Sequence, residues 1–318
     1  MSVKLNGDNM KKIVKKTTIG GQALFEGILM KGPHESSIVV RKPDGSLESK
    51  IVKNNSISEK YPIFKKPFFR GMGALYDALK NGTGAINYST SFYEESEDEK
   101  KKEASKSKLR LKLEEALVSI AGILIIIGFL FAFLVLPSMI SNLFKNQISS
   151  ALALNLIEGL IRIIFFFIYI FAISNIEDIK RVFMYHGAEH KTIATYEFGE
   201  ELTVENARQN SMLHPRCGTS FMFNMVIISS IVLAFFGWPN PIVRAVTRIL
   251  ILPILVGITY EANRWMGRSD SKIAKILSKP GMFVQFIGTV KEPTDDMLEV
   301  AIESLKLVIP ENDQDDIW

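Results

Sequence analysis

The chain has 318 residues, 47 % of them apolar and 23 % charged, with a mean hydropathy of +0.16. The apolar residues gather between Ala116 and Tyr260, which excludes an ordinary water-soluble enzyme and marks a membrane protein. Net charge is only +4, with 22 Lys/Arg against 15 Asp/Glu in the first 115 residues, and the single cysteine, Cys217, excludes an intramolecular disulfide framework.

Residues 1–17 form a basic arm carrying Lys11-Lys12 and Lys15-Lys16. No apolar core precedes Gly20-Gly21, so the arm is not read as a secretory signal. Anionic lipid headgroups are its simplest partner, and ribosomal RNA is the one nucleic acid that the same charges would serve. Residues 18–93 read as a small cytoplasmic α+β region. Its opening, IGGQALFEGILMKG, matches neither the P-loop nor the dinucleotide fingerprint, and is read as a tight turn that packs Glu26 near the central loop. Ser36–Val52 reads as a hairpin about Pro43-Asp44-Gly45. Lys66–Ser89 reads as an amphipathic helix with Phe68, Phe69, Met72, Leu75 and Leu79 on the face expected to meet the membrane or the core. Residues 94–115 form a charged linker; the mixed charges of Glu94–Lys108 suit a solvated helix extension or a mobile connection.

Residues 116–260 are expected to form a four-helix membrane domain, so the fold class is an α-helical polytopic membrane protein. A span takes about 20 apolar residues, or about 17 at the short end, and the candidates are Ala116–Leu136, Leu152–Ser174, Thr219–Gly237 and Pro241–Tyr260. Pro137 is expected to stop the first. The second carries Glu158 and Arg162 at i, i+4, and the fourth carries Arg244 and Arg248 at the same spacing. These four charges are read as ion pairs joining the two helices, the alternative being a polar pathway or ligand site. The loop 137–151 holds only Lys145, whereas the loop 175–218 holds five basic residues and the tail after Glu261 holds seven. That asymmetry places both termini and the central loop in the cytoplasm. Residues 261–310 read as a cytoplasmic helical region in which Thr294 caps a helix to about Val308, with residues 311–318 as a disordered tail.

The central loop 175–218 carries the chemistry. Tyr185-His186-Gly187-Ala188-Glu189-His190-Lys191 contains H-x-x-E-H, which on a helix sets His186 and His190 one turn apart on one face with Glu189 beside them. His214-Pro215-Arg216-Cys217 follows, with a spacing that suits delivery of a nitrogen and a sulfur to one ion. A metal held by His186, His190, His214 and Cys217 is expected, and nitrogen and sulfur donors favour zinc over calcium or magnesium. If all four ligate, the site is closed and structural; if one is displaced, an open position permits catalysis with Glu189 as general base. Glu261 is a possible additional ligand, and Arg216, Arg264 or Lys191 could meet an oxyanion or phosphate.

Gly20-Gly21-Gln22-Ala23 with Glu26-Gly27, Phe69-Arg70-Gly71, YHGAEHK at 185–191, HPRCGTSF at 214–221 and YEANR at 260–264 resemble the bacterial YqhQ family, over roughly Thr18 to Val308. The resemblance implies a multi-pass protein of the bacterial plasma membrane and a metal-dependent activity, and assigns no substrate. Two functions are carried forward. One is a zinc-dependent hydrolase embedded in the membrane and acting at its cytoplasmic interface on lipid, peptide or a membrane-protein segment. The other is a non-enzymatic scaffold, an accessory to protein insertion or translocation, that binds another membrane protein and holds zinc structurally.

Overall fold

The computed structural model describes residues 13–93 and 108–316. The charged stretch 94–107 and Lys11-Lys12 of the arm lie outside the described residues. The chain opens with an antiparallel meander, β1 (Gly20–Leu24), β2 (Gly27–Lys31), β3 (Glu35–Arg41) and β4 (Leu47–Lys53), in that spatial order. The expected hairpin is β3–β4, with Arg41 opposite Leu47 and Gly45 taking φ +85° in the turn. The Gly-rich opening is itself a hairpin, β1–β2, turning at Glu26 with φ +50°. Its glycines hide the strand signal, because β-propensity rests on side chains that glycine lacks.

The helices are α1 (Ile57–Lys60), α2 (Phe69–Thr90), α3 (Lys108–Leu130), α4 (Leu136–Asn142), α5 (Ala151–Ile173), α6 (Glu177–Glu197), α7 (Val204–Gln209), α8 (Gly218–Ala234), α9 (Pro241–Arg268), α10 (Lys272–Val284) and α11 (Asp295–Lys306). The sheet is covered on both faces. Ile28, Met30 and Val39 pack with Tyr185, Ala188 and Ile193 of α6 and with Met297, Leu298, Ala301 and Leu305 of α11. Leu24, Leu29, Ile38 and Val40, on the other face by the period-2 alternation, pack with Ala85, Tyr88 and Phe92 at the end of α2. Double burial explains the continuous apolar runs of β2 and β3, whereas β4 is a solvated edge bearing Glu48, Lys50 and Lys53.

Among the described residues, three helical stretches are long and apolar enough to cross a membrane: Ile120–Asn142, Ala151–Ile173 and Ile242–Arg268. The third expected span, α8, is apolar but only 17 residues long. Pro137 does not stop the first span. A π-helical stretch, Phe131–Val135, lets the Leu136 N–H reach the Phe131 carbonyl, and the helix resumes through Pro137 as α4. α5 and α9 both pack on α8. At one end of this group Ser138, Asn155, Gly237 and Arg244 meet; at the other, α8 begins at Cys217 and α9 reaches Arg70 through Glu261.

One further expectation, the disordered tail, is corrected, and two others gain detail. In α2 the buried face is Gly71, Gly73, Asp77, Gly82, Ala85 and Ser89, and Phe69, Leu75 and Leu79 point outward; small residues are what permit close approach to α9, where Gly71 sits against Tyr260. Residues 311–316 are placed, and Asp316 is wholly buried, accepting hydrogen bonds from Thr17, from the Thr18 N–H at 2.9 Å and from the Tyr196 hydroxyl at 3.0 Å. A charge run alone does not reveal such a buried acceptor. Lys15 bonds the Tyr196 hydroxyl at 2.6 Å and Lys16 pairs with Asp270 at 2.9 Å.

Candidate metal centre

α6 starts behind Glu177 and Asp178, which complement its N-terminal dipole. Its apolar residues enter the sheet core, and the remaining face presents His186, Glu189 and His190 one turn apart. α8 begins at Cys217, whose sulfur occupies the N-cap position and accepts the Thr219 N–H at 3.4 Å. The two elements meet so that ring nitrogens of His186 and His190 and the Cys217 sulfur all lie within 4.8 Å of one another. The Cys217 sulfur is 3.2 Å from His186 Nε2.

Both imidazoles are aimed by backbone carbonyls. His186 Nδ1 donates to Thr289 O at 2.7 Å and His190 Nδ1 to Met212 O at 2.5 Å. This leaves His186 Nε2 facing the sulfur, the arrangement by which a hydrogen bond on one nitrogen fixes the other for ligation. The electrostatics agree. Burial works against an ionised thiol, yet His186 and His190 hold Cys217 well below the usual thiol range. Burial also works against a charged His186, but the Cys217 thiolate and Glu189 raise it to about 9.

His214 is not part of this group. Its Nε2 lies 3.4 Å from Glu197 Oε2 and 3.3 Å from the Arg216 guanidinium, and Arg216 pairs with Glu197. Burial, reinforced by Arg216 and His190, lowers His214 below its ordinary value, although Glu197 opposes this. The Glu197 carboxyl stays below the usual range despite burial, because His214 and Arg216 face it. Among the described residues the ligand-type atoms that lie together come from three of the four expected side chains; His214, its ring centroid 5.5 Å from that of His190, faces Glu197 instead. Glu261 is also elsewhere: Arg70 grips its carboxylate and the Phe68 N–H donates to it at 2.9 Å. Lys191 turns away as well, bonding Arg208 O at 2.7 Å and Glu292 at 2.9 Å.

Glu189 is buried beside the group. Its Oε1 accepts the Gly21 N–H at 2.9 Å and its Oε2 is 3.9 Å from His186 Nε2. A Cβ on Gly21 would come within 2.7 Å of the Glu189 Cγ, so β1 passes close enough only as glycine. Two cavities adjoin the group, one lined by all three ligand-type side chains and the other by His186 and Cys217. One, of about 240 Å³, lies among β1, Asn81 and the His214 loop; the other, of about 630 Å³, runs from Cys217 and Glu189 past Leu75, Phe221 and Met222 to Tyr260 and Arg264. Arg216 lines both.

Several positioning residues carried no sequence signal. Gln285, wholly buried, accepts the His214 N–H at 2.9 Å and donates to His214 O and to the Ser220 hydroxyl at 2.8 Å each, holding the loop that delivers Cys217. The Thr289 carbonyl comes from a π-helical stretch, Gln285–Thr289. Glu197 and Gly21 complete the surroundings. The membrane charges form a separate cluster: Arg162 and Arg248 both pair with Glu158, and Arg244 reaches Ser138 instead.

The family described as "Protein of unknown function (DUF1385)" matches residues 66–311. The "Uncharacterized protein YqhQ" of Bacillus subtilis (strain 168) is 36 % identical over 290 residues, which cover 90 % of each chain. The chain belongs to the YqhQ family. The matched residues 66–311 carry His186, Glu189, His190 and Cys217, whereas Gly21, which holds Glu189, precedes them. No solved structure matches the chain.

Proposed function

We propose that this chain is a zinc-dependent hydrolase embedded in the membrane, with its site at the cytoplasmic interface and four spans, α3–α4, α5, α8 and α9. The observation that carries the reading is the convergence of two imidazole nitrogens and one thiolate on a point bordered by a cavity that also contains Glu189. The donor set fits the metal: nitrogen and sulfur suit zinc, the carbonyls of Thr289 and Met212 preset the imidazoles, and the sulfur is already held as a thiolate. Three protein ligands and an open side are the pattern of catalytic zinc, whereas structural sites are closed by a fourth, and His214 is occupied by Glu197.

His186, His190 and Cys217 would hold the ion. When bound, zinc supplies Lewis acidity toward the bond to be hydrolysed. Glu189 Oε2 receives the proton, with Oε1 tethered by the Gly21 N–H so that the free oxygen faces His186. The longer cavity, apolar along Leu75, Phe221 and Met222 and bearing Arg264 at its far wall, suits a substrate with an apolar chain and an anionic portion, such as a lipid or a membrane-inserted peptide. Leu75 and Met222 are themselves exposed on the outer surface, which gives such a chain lateral access from the bilayer.

The test is metal content followed by Glu189→Gln. Protein purified without chelator is expected to hold about one zinc per chain, and metal-free, folded protein would reject the reading. Glu189→Gln is expected to keep zinc and thermal stability while failing to complement a deletion strain, since a general base contributes about 10²–10⁴-fold in rate. Normal complementation by that variant, with loss of function confined to Cys217→Ser or His190→Ala, would favour a scaffold with structural zinc.

A further inference from the structure

The two edges of the four-stranded sheet differ in chemistry. β4 carries Glu48, Lys50 and Lys53, charges that discourage another strand from pairing with it. β1, at the other edge, is Gly20-Gly21-Gln22-Ala23-Leu24 and carries none. The Gly21 N–H goes to Glu189 Oε1 and not to β2. By the alternation of an antiparallel ladder, Gly21 and Ala23 therefore turn their backbone groups away from β2, while Gly20, Gln22 and Leu24 pair with it. Among the described residues, no hydrogen bond outside the strand ladder reaches the Gly21 C=O or the Ala23 N–H and C=O.

Those groups border the larger cavity, which Gly21, Gln22 and Ala23 line. Its walls continue the layers that cover the sheet, with Val182, Phe183 and Glu189 of α6 on one side and Gly71, Ala74 and Ala78 of α2 on the other. A volume of about 630 Å³ thus occupies the place of a fifth strand, and the small residues of β1 and α2 let another backbone approach closely. An acyl chain lying there would displace water from the three backbone groups and leave them without partners, whereas a peptide backbone satisfies them.

We infer that this site takes an extended polypeptide segment, docked as a fifth strand on the free edge of β1. The inference rests on the hydrolase reading and narrows its substrate to a peptide. A peptide carbonyl accepts the Ala23 N–H, and peptide N–H groups donate to the Gly21 and Ala23 carbonyls, the main-chain pairing that gives strand addition its affinity. A segment so held runs along β1 to Gly21, whose own N–H positions Glu189. Hydrolysis there adds the hydroxyl of water to a peptide carbonyl carbon and breaks the C–N bond, and the proton taken up by Glu189 passes to the leaving amine.

The probe is a pentapeptide alternating valine and threonine, capped at both ends and labelled with a fluorophore; its control is a twin methylated at every backbone nitrogen. Binding to full-length protein in maltoside micelles is read by fluorescence anisotropy, with metal content and peptide cleavage measured on the same sample. The peptide is expected to bind saturably, and the twin about tenfold more weakly, the effect of losing a backbone hydrogen bond. Ala23→Pro, which a strand tolerates where the lost N–H faces a free edge, is expected to weaken the peptide by about tenfold or more. Should that variant fail to fold, the comparison of peptide and twin on the wild type decides alone. No binding, equal binding of the twin, or unchanged binding to folded Ala23→Pro overturns the inference and leaves the hydrolase reading with a lipid substrate. Folded protein that binds the peptide through its N–H groups without zinc or cleavage refutes the hydrolase reading and supports the strand site.

Discussion

Gly187 lies on α6 between the two metal-facing histidines, and a Cβ there would stand 2.1 Å from the Lys291 carbonyl oxygen. That carbonyl belongs to backbone, held across α6 by the Lys291 N–H to Phe183 O at 2.9 Å, so it cannot swing aside. Gly187→Ala is expected to destabilise by about 1–3 kcal/mol, as overpacking does, read as a lower melting temperature. Gly21→Val differs in kind, because its clash falls on the Glu189 side chain. It is expected to leave zinc bound and to lower activity by displacing the base, checked by metal analysis beside complementation. The His214 loop responds to acid. Burial and Arg216 keep His214 below 6.5, so its neutral form contributes stability that is full above 6.5 and lost as pH falls through the lowered folded value. Glu197, held below 4.5, adds a second loss in the same direction beneath that value. The melting temperature is expected to fall between about pH 7 and about pH 5, and to fall less in His214→Gln.

At the scale of the element, Gln285 shows how a helix end governs the site. Its side chain satisfies both backbone groups of His214 and the Ser220 hydroxyl, so Gln285→Ala orphans three buried polar groups at about 1–3 kcal/mol each. Weakened zinc retention is expected together with the fall in stability, measured by competition with a chelator. The same elements show what was legible in the sequence. Apolar length exposed the long apolar helices, alternation about Asp44-Gly45 exposed β3–β4, and the i, i+4 spacing put His186 and His190 on one helical face. Spacing could not tell that Glu197, about three turns beyond His186, would draw His214 away from the sulfur. Nor could it show Gly21, Gln285 or the Thr289 carbonyl, whose roles exist only where distant segments meet. Arg244 sits one turn from Arg248, yet it turns to Ser138 on α4, a partner outside any local pattern.

At the scale of the molecule, the topology proposed from the Lys/Arg asymmetry is open to direct measurement. Reporter fusions after Lys145 and within residues 200–210 are expected to report opposite sides of the membrane. Matching sides would discard the four-span arrangement, and with it the cytoplasmic placement of the site.

The core shared by the sheet, α6 and α11 imposes a parity rule on the chain. Residues 20–53, 177–197 and 295–306 pack into one unit, so a chain leaving any of them must return to the same side before it reaches the next. If the chain crosses a membrane as proposed, the number of crossings between 53 and 177, and between 197 and 295, must each be even. Between 53 and 177 this is met by α3–α4 with α5. Between 197 and 295, α9 is long enough to cross on its own criterion, and it then obliges α8 to cross with it. At 17 residues α8 is about 26 Å long, a few ångströms under the hydrocarbon thickness. On that proposal, a helix so short yet forced to traverse would pull both of its ends to the bilayer's edges and set Cys217, at its first turn, at the water boundary. The depth of the thiolate is thus set by counting crossings, and lengthening α8 by one turn would be expected to lift Cys217 out of register with α6 without altering any residue of the site.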